Sequence, residues 1–407
     1  TSQKKSETTS FQHFSPRIWI SKFFGNPNCC LINSGTSGLK LAYDLCDLKK
    51  GDQVITTPLT CPATNLELLN FNVDIRFADI NKHTGNISVE SIKRLITKKT
   101  KLIVTVDWSG TPCDYDEILK LCNDNKILLV EDAAHALGSR YGNKLVGNIA
   151  DFTIFSFQAV KHMTTGDGGL LITKKKEDCK KAKLKRWFGI SRDYEGNKWK
   201  QDISFNSYKM HMNEIAGVIG LEQLKTINSK LTKHISNGKD LDRYIKNKKI
   251  KLLHKSNKHH SSYWVYSLLV DDKEDFKEYL HKNLIRSDEL SFRNDTYSIF
   301  KKYKKDNLIN TNYFHKHMIN IPCGWWVSKK ELRYIIETVN SYWSLFNLSF
   351  TKNTKDIKRI IKKPNLWLKI EPEDLIGKKN TIALIKYKEL ENINLLLFLI
   401  YEYVIFI

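Results

Sequence analysis

DFTIFSFQAVKHMTTGDGGL, Asp151–Leu170, decides how the 407-residue chain is read. Asp151–Phe157 is an apolar, β-rich run and reads as a buried strand. Gln158–Thr165 is a polar turn that carries one lysine, Lys161. Gly166, Gly168 and Gly169 then open a second apolar run, Leu170–Thr173. A lysine on a polar turn between two buried strands admits two readings. One is a surface hairpin with a solvated amine. The other is a turn that holds the amine inward, with glycines allowing approaches that a side chain would block. The second geometry suits a lysine that forms a Schiff base with a cofactor aldehyde.

Upstream, strands and helices alternate. Cys29–Asn33 leads into SGTSG, Ser34–Gly38, followed by Leu39, Ala42, Leu45 and Leu48 at helical spacing. Asp52–Thr57, Asp74–Ile80, Lys101–Trp108 and Ile127–Val130 read as strands. Helices are expected from TPLTCPATN through Leu69, over Val89–Lys98 and over Tyr115–Asn123. This alternation predicts a mainly parallel sheet covered on both faces.

Four features of that frame suit one small anionic ring. SGTSG opens a helix, where free backbone N–H groups and the Thr36 and Ser37 hydroxyls can cradle a phosphate, although such loops also serve as plain caps. Asp132 follows the strand Ile127–Val130, at the sheet edge where ligands of open α/β sheets bind. A carboxylate there pairs with a protonated pyridine nitrogen, or simply caps a helix. His135 comes three residues later, within reach of a phenolic oxygen if the segment turns. Ser156 ends its strand five residues before Lys161 and can share the phosphate. Phosphate loop, strand-end acid and glycine-flanked lysine, in that order, suit pyridoxal phosphate.

Composition sets the bounds. The chain is long enough for two or three domains, and 41% hydrophobic and 27% charged residues fit a globular protein. The formal net charge of +22 reflects a lysine-rich composition or an attraction to phosphates. The basic residues form no single block with interleaved aromatics, so nucleic acid is not an expected partner. The eight cysteines show no CxxC and no zinc spacing, so no metal is expected and they read as reduced thiols of a cytoplasmic protein. The apolar run Leu395–Ile407 is shorter than a membrane span.

Beyond Lys174 the alternation weakens. Ser207–Leu224 has a strong amphipathic helix pattern, and the Lys-rich Leu224–Lys258 reads as a helical hinge. Strands over Tyr263–Val270 and Ile319–Val327, with helices over Phe276–Leu284 and Leu332–Trp343, suggest a small α+β domain. The expected layout is a disordered segment 1–12, a large domain 13–228, a small domain 229–344 and an unassigned tail 345–407.

With these residues in view, the chain resembles the DegT/DnrJ type of nucleotide-sugar aminotransferases, a branch of the fold-type I pyridoxal-phosphate enzymes. NSGTSGL, TPLTCPATN, VDWSGTPCDYDEI, LLVEDAAHALGSRYG, ADFTIFSFQAVKHMTTGDGGLL, RWFGISRD, YKMHMNEIAGVIGLEQL and INIPCGWWVS carry the resemblance, in order, from about Leu31 to Trp343. It implies a three-layer α/β/α large domain and a smaller α+β domain. It implies amino transfer from glutamate to a nucleotide-linked keto-deoxysugar, a precursor of surface polysaccharide. Lys161 would hold the cofactor and move protons, Asp132 would pair with the pyridine nitrogen, and His135 would contact the ring oxygen. Gly35, Thr36, Ser37 and Ser156 would line the phosphate site. Lys209, His211 and Asn213 would reach the site from a partner subunit, which makes the enzyme a homodimer. Arg293 and Asn294 would sit near the sugar nucleotide. Many relatives stack an aromatic residue on the ring from the loop after the second strand, where this chain has Cys61. Two alternatives stand beside this reading. One is a sugar dehydratase on the same scaffold, in which relatives replace the Schiff-base lysine by histidine. The other is a decayed, non-catalytic binding protein. The tail stretch LWLKIEPEDL faintly resembles the opening of an acetyltransferase.

Overall fold

The computed structural model describes residues 16–342, apart from 198–199, 291–292 and 304–306. The expected N-terminal segment 1–12 and the tail 345–407, with its LWLKIEPEDL stretch, lie outside the described residues. The chain opens with α1 (Pro16–Phe24), β1 (Cys29–Ile32), α2 (Gly35–Leu45), β2 (Gln53–Thr56), α3 (Pro62–Leu66) and β3 (Asp74–Phe77). It continues through α4 (Val89–Leu95), β4 (Thr100–Val106), α5 (Tyr115–Asn125) and β5 (Leu128–Asp132). A short ribbon, β6 (Arg140–Tyr141) and β7 (Lys144–Leu145), precedes β8 (Phe152–Ser156), β9 (Gly169–Thr173), α6 (Lys176–Lys185) and the long α7 (Glu214–Tyr244).

Seven of these strands form one sheet in the order β1-β9-β8-β5-β4-β2-β3. Only β9 runs against its neighbours, and the other pairings are parallel. The central strands are apolar on both faces, as a doubly covered parallel sheet requires. Leu102, Val104 and Val130 pack with Leu39, Leu41 and Ala42 of α2 and Ala182 of α6. Their chain neighbours Ile103 and Leu129 point to the opposite face and pack with Ile92 of α4, Ile118 of α5 and Ile227 and Leu231 of α7. The result is the expected three-layer α/β/α arrangement.

The remaining elements are β10 (Ile250–Leu252), β11 (His259–His260), β12 (Tyr266–Val270), α8 (Lys273–Lys282), α9 (Ile309–His317), β13 (Met318–Ile321) and α10 (Lys329–Ser341). β10, β12 and β13 make an antiparallel sheet. Leu241 of α7, Phe276 and Leu280 of α8, and Leu332 and Val339 of α10 share its apolar core. The two sheets meet where Leu59, Ile80 and Trp108 pack on Leu269, Phe314 and Met318. All eight cysteines are free thiols. No helix among the described residues is long and apolar enough to cross a membrane.

Four local expectations are corrected. The helix expected from Ser207 starts at Glu214, because the Asn213 side chain accepts the Ala216 amide at 2.8 Å and fixes the N-cap there. Ahead of that cap the backbone is clipped to the end of β1, where the Asn33 amide donates to the Met210 carbonyl at 2.9 Å. Downstream, α7 runs unbroken past position 228, ends at Tyr244, and is followed by strand rather than further helix. The strand expected over Ile319–Val327 stops at Ile321, where Pro322 can donate no ladder hydrogen bond. The strand expected to end at Val130 instead continues to Asp132, in register with Val106.

Candidate active site

The carboxyl ends of β1, β5 and β8 converge, and with them the start of the antiparallel β9. Backbone contact draws the first cluster together. A Cβ on Gly169 would lie 2.8 Å from the carbonyl of Ser34, and one on Gly35 would lie 3.0 Å from the Cβ of Ser156. Larger residues at either position would push β9 or β8 away from the start of α2. Ser34 caps that helix by accepting the Ser37 amide at 3.1 Å. The hydroxyls of Thr36, Ser37 and Ser156 therefore share the N-terminus of an 11-residue helix, a position that favours an anion.

Asp132 is the last residue of β5 and is 5% exposed. Thr64 donates its hydroxyl to Oδ2 at 2.7 Å, and the Ala134 amide donates to Oδ1 at 3.1 Å. Burial raises its carboxyl above the usual range, while those two donors and the charge of Lys161 pull the other way. Thr64 was missed in the sequence, although TPLTCPATN had been singled out. The α3 turn, with Pro62 in its first turn, carries Thr64 across the sheet edge to β5.

His135 is buried, and its Nδ1 has no hydrogen-bond partner. Burial pushes its imidazole well below the ordinary value, helped by the charges of Lys161 and His162, so the ring is neutral. It lies stacked on Trp264, with ring centroids 3.9 Å apart and planes 17° apart. Lys161 sits in the β8–β9 turn with its Nζ 3.9 Å from the centre of the same indole. Burial lowers its amine to about 8, opposed by the charge of Asp132. The charge of Lys161 thus reaches both Asp132 and His135. The solvated-hairpin reading of the turn fails because the amine is drawn in under an aromatic ring. Nothing in SSYWVYSLLV marked Trp264 in advance, since its proximity to Lys161 arises only in the fold.

The other expected residues divide. Lys209, His211 and Asn213 follow one another along the strip clipped to β1. His211 is edge-on to Trp187 at 4.2 Å, with Arg192 over the same indole at 5.3 Å. Burial and then the charges of Arg192, Arg186 and Lys209 depress its imidazole, opposed by Glu214. Arg293 and Asn294 are buried and engaged within the protein. Arg293 forms a forked pair with Asp295 at 3.0 and 2.8 Å. Asn294 donates to the Thr60 carbonyl and accepts from Asn65, both at 2.8 Å. This pair clasps the loop that carries Cys61 and Thr64. Cys61 itself is exposed at the head of α3.

The set fits pyridoxal phosphate. The Gly35–Ser156–Gly169 cluster leaves a small-residue cradle for a phosphate. Asp132 is a held carboxyl for the ring nitrogen. His135 has a nitrogen without a partner, and Lys161 supplies an amine that burial keeps partly neutral near pH 8. A family model described as the DegT/DnrJ/EryC1/StrS aminotransferase family matches residues 12–340. The chain is 33% identical over 336 residues to the UDP-4-amino-4,6-dideoxy-N-acetyl-beta-L-altrosamine transaminase of Campylobacter jejuni, covering 79% of this chain and 87% of that protein. It superposes on the sugar aminotransferase CalS13 of Micromonospora echinospora with a TM-score of 0.77 at 28% identity, covering 81% of this chain and 91% of the other. The PLP-form of Spr1654 from Streptococcus pneumoniae matches with a TM-score of 0.74 at 27% identity, over 80% and 89% of the two chains.

Proposed function

The chain belongs to the DegT/DnrJ/EryC1/StrS aminotransferase family of pyridoxal-phosphate enzymes, and we propose that it moves an amino group from glutamate to a nucleotide-linked keto-deoxysugar. The observation that carries the site assignment is the convergence of three anchors: the Lys161 amine, the Asp132 carboxyl and the small-residue N-terminus of α2. The Campylobacter jejuni relative is named for a UDP-linked amino sugar, which supports a nucleotide-linked substrate here. The basic side chains of Arg186, Arg192 and Lys209 around His211 support an anionic substrate.

When bound, pyridoxal phosphate supplies the aldehyde and the electron-withdrawing ring that let an amino group pass between two carbonyl carbons. The residues of this chain would do the rest. Thr36, Ser37 and Ser156 would hold the phosphate, and Asp132, kept in place by Thr64, would hold the ring nitrogen in its protonated form. His135 would face the ring oxygen through its free Nδ1. Lys161 would bond through Nζ and, when released, carry a proton between donor and acceptor carbons as general base and acid. Its lowered proton affinity suits both tasks near neutral pH.

Homodimerisation is part of the proposal. The first turns of α7 expose Ile215 at 76%, Val218 at 62% and Ile219 at 38%, directly after the strip Lys209–Asn213. An apolar face of that kind, continuous with cationic residues, supports a partner subunit that completes the site. Eight free thiols support work in a reducing cytoplasm. The large and small domains are read as 13–228 and 229–344, joined along α7.

The dehydratase alternative would need a histidine where Lys161 stands. The neighbouring His162 does not serve, because its Nε2 contacts the Ser262 carbonyl at 3.1 Å and its ring packs on His234, 4.6 Å between centroids. The non-catalytic alternative loses its ground, since the named relatives are enzymes. Incubating the protein with glutamate and a panel of nucleotide-linked keto sugars, with mass analysis of the products, tests the proposal. An amino sugar is the expected product. A deoxygenated sugar would support the dehydratase instead.

A further inference from the structure

We infer that Trp264 is the seat of the free Lys161 amine, a positioning residue whose indole face holds the ammonium at the site whenever Lys161 is not covalently engaged. The inference rests on the reading of Lys161 given above and extends it to a residue 103 positions later in the chain.

Two contacts join the indole to the lysine turn. Its face lies 3.9 Å from Nζ, and its Nε1 donates to the Val160 carbonyl at 2.7 Å, one residue before Lys161. One side chain therefore fixes both the turn and the tip of the lysine. A cation over an aromatic face is stabilised by the ring quadrupole, and more so where water is excluded. The lysine needs such a seat. Its four-carbon stem has many rotamers, and in amino transfer the amine must be released and then recaptured within the site.

The indole is itself held firmly. The Trp264 amide donates to the Ser109 carbonyl at 3.0 Å, and the Ser262 amide donates to the Ser139 hydroxyl at 3.0 Å. Between them Tyr263 takes φ +50°, a left-handed conformation that a bulky residue adopts only under constraint. The constraint is visible, because the Tyr263 carbonyl is met by His234 Nδ1 at 3.0 Å and by Cys323 Sγ at 3.1 Å. This strained turn aims Trp264 at the amine, and His135 backs the indole. The charged or titratable groups felt by Lys161 or feeling it are Asp132 on β5, Cys61 ahead of α3, and His135 and His162. Of these, His135 stacks on the indole itself, so a fluorinated tryptophan, which keeps the ring in place, separates the effect of the quadrupole from the loss of that contact.

The test follows the pH dependence of Lys161 labelling in the full-length protein. Pyridoxal phosphate is added, the product is trapped with borohydride, and the modified peptide is quantified by mass spectrometry. Wild type is compared with Trp264→Phe, Trp264→Leu and tryptophan fluorinated at position 264 alone, which weakens the ring quadrupole with little change of shape. The pH midpoint of labelling should fall in the order of weakening, by about half a unit or more for Trp264→Leu, a roughly three-fold change in proton affinity. The fluorinated series keeps the test decisive if a smaller side chain loosens the fold. Labelling at Lys161 with the same midpoint in every variant would overturn this inference alone. No labelling of wild-type Lys161 would remove both this inference and the role assigned to the lysine.

Discussion

Thr64 donates its hydroxyl to Asp132 at 2.7 Å, tying the first turn of α3 to the end of β5. The bond does two jobs. It orients a buried carboxyl that must face a ring nitrogen, and it offsets part of the burial that favours the neutral acid. Thr64→Val keeps the shape and removes the donor. A hydrogen bond to a charged group contributes about 1.5–3 kcal/mol, so cofactor affinity should fall by roughly ten-fold or more. Titration of cofactor absorbance against protein checks this, and an unchanged affinity would leave Thr64 with a packing role only.

Lys161 makes the site cost stability. Its amine is lowered from 10.5 to about 8 in the folded protein, chiefly by burial. The unfolded chain therefore binds a proton that the folded chain gives up between those two pH values. Stability of the cofactor-free protein should rise with pH across that window, and the penalty should be full below it. Lys161→Met should be more stable than wild type at pH 7 by about 2–3 kcal/mol, with the difference gone by about pH 10.5. Urea unfolding at the two pH values measures it, and equal stability at pH 7 would contradict a strained amine.

Gly169→Ala should weaken the phosphate cradle. The new methyl group would meet the Ser34 carbonyl carbon and oxygen at 2.8 Å, and the backbone there has no flexible end to give way. β9 and the start of α2 would have to part. A loss of about 1–3 kcal/mol of stability is expected, with weaker phosphate binding. Thermal unfolding with and without added pyridoxal phosphate reads both effects.

Ile215→Asp places a charge in the exposed apolar turn of α7. If that face meets a partner subunit, the variant should sediment as a monomer and lose cofactor affinity, while the fold, followed by circular dichroism, persists. A variant that stays dimeric would move the interface elsewhere.

Much of this was legible from local pattern. Strand, turn and strand over Asp151–Leu170, the capped helix after Ser34 and the acid ending β5 are all short-range signals, and the structure brings them to one sheet edge. Trp264 and the Asn294–Asn65 clasp were not legible, because they are contacts between segments 100 or more residues apart and leave no period in the sequence. The start of α7 was misread for a different reason. The apolar spacing continues from Ser207 into the helix, but Asn213 caps it and the preceding residues are drawn onto β1. Periodicity cannot register such a competing pairing. The resemblance, rather than any local pattern, put Arg293 near the substrate, and its pairing with Asp295 two residues on was not read from the sequence.

The central claim is that Lys161 bonds the cofactor within reach of Asp132 and the α2 phosphate cradle. Absorbance of the purified protein with pyridoxal phosphate tests it most directly. A near-visible band of lysine-bound cofactor should be present, should shift when glutamate is added, and should be missing in Lys161→Ala. A spectrum of free cofactor in wild type, or the same band in Lys161→Ala, would contradict the account.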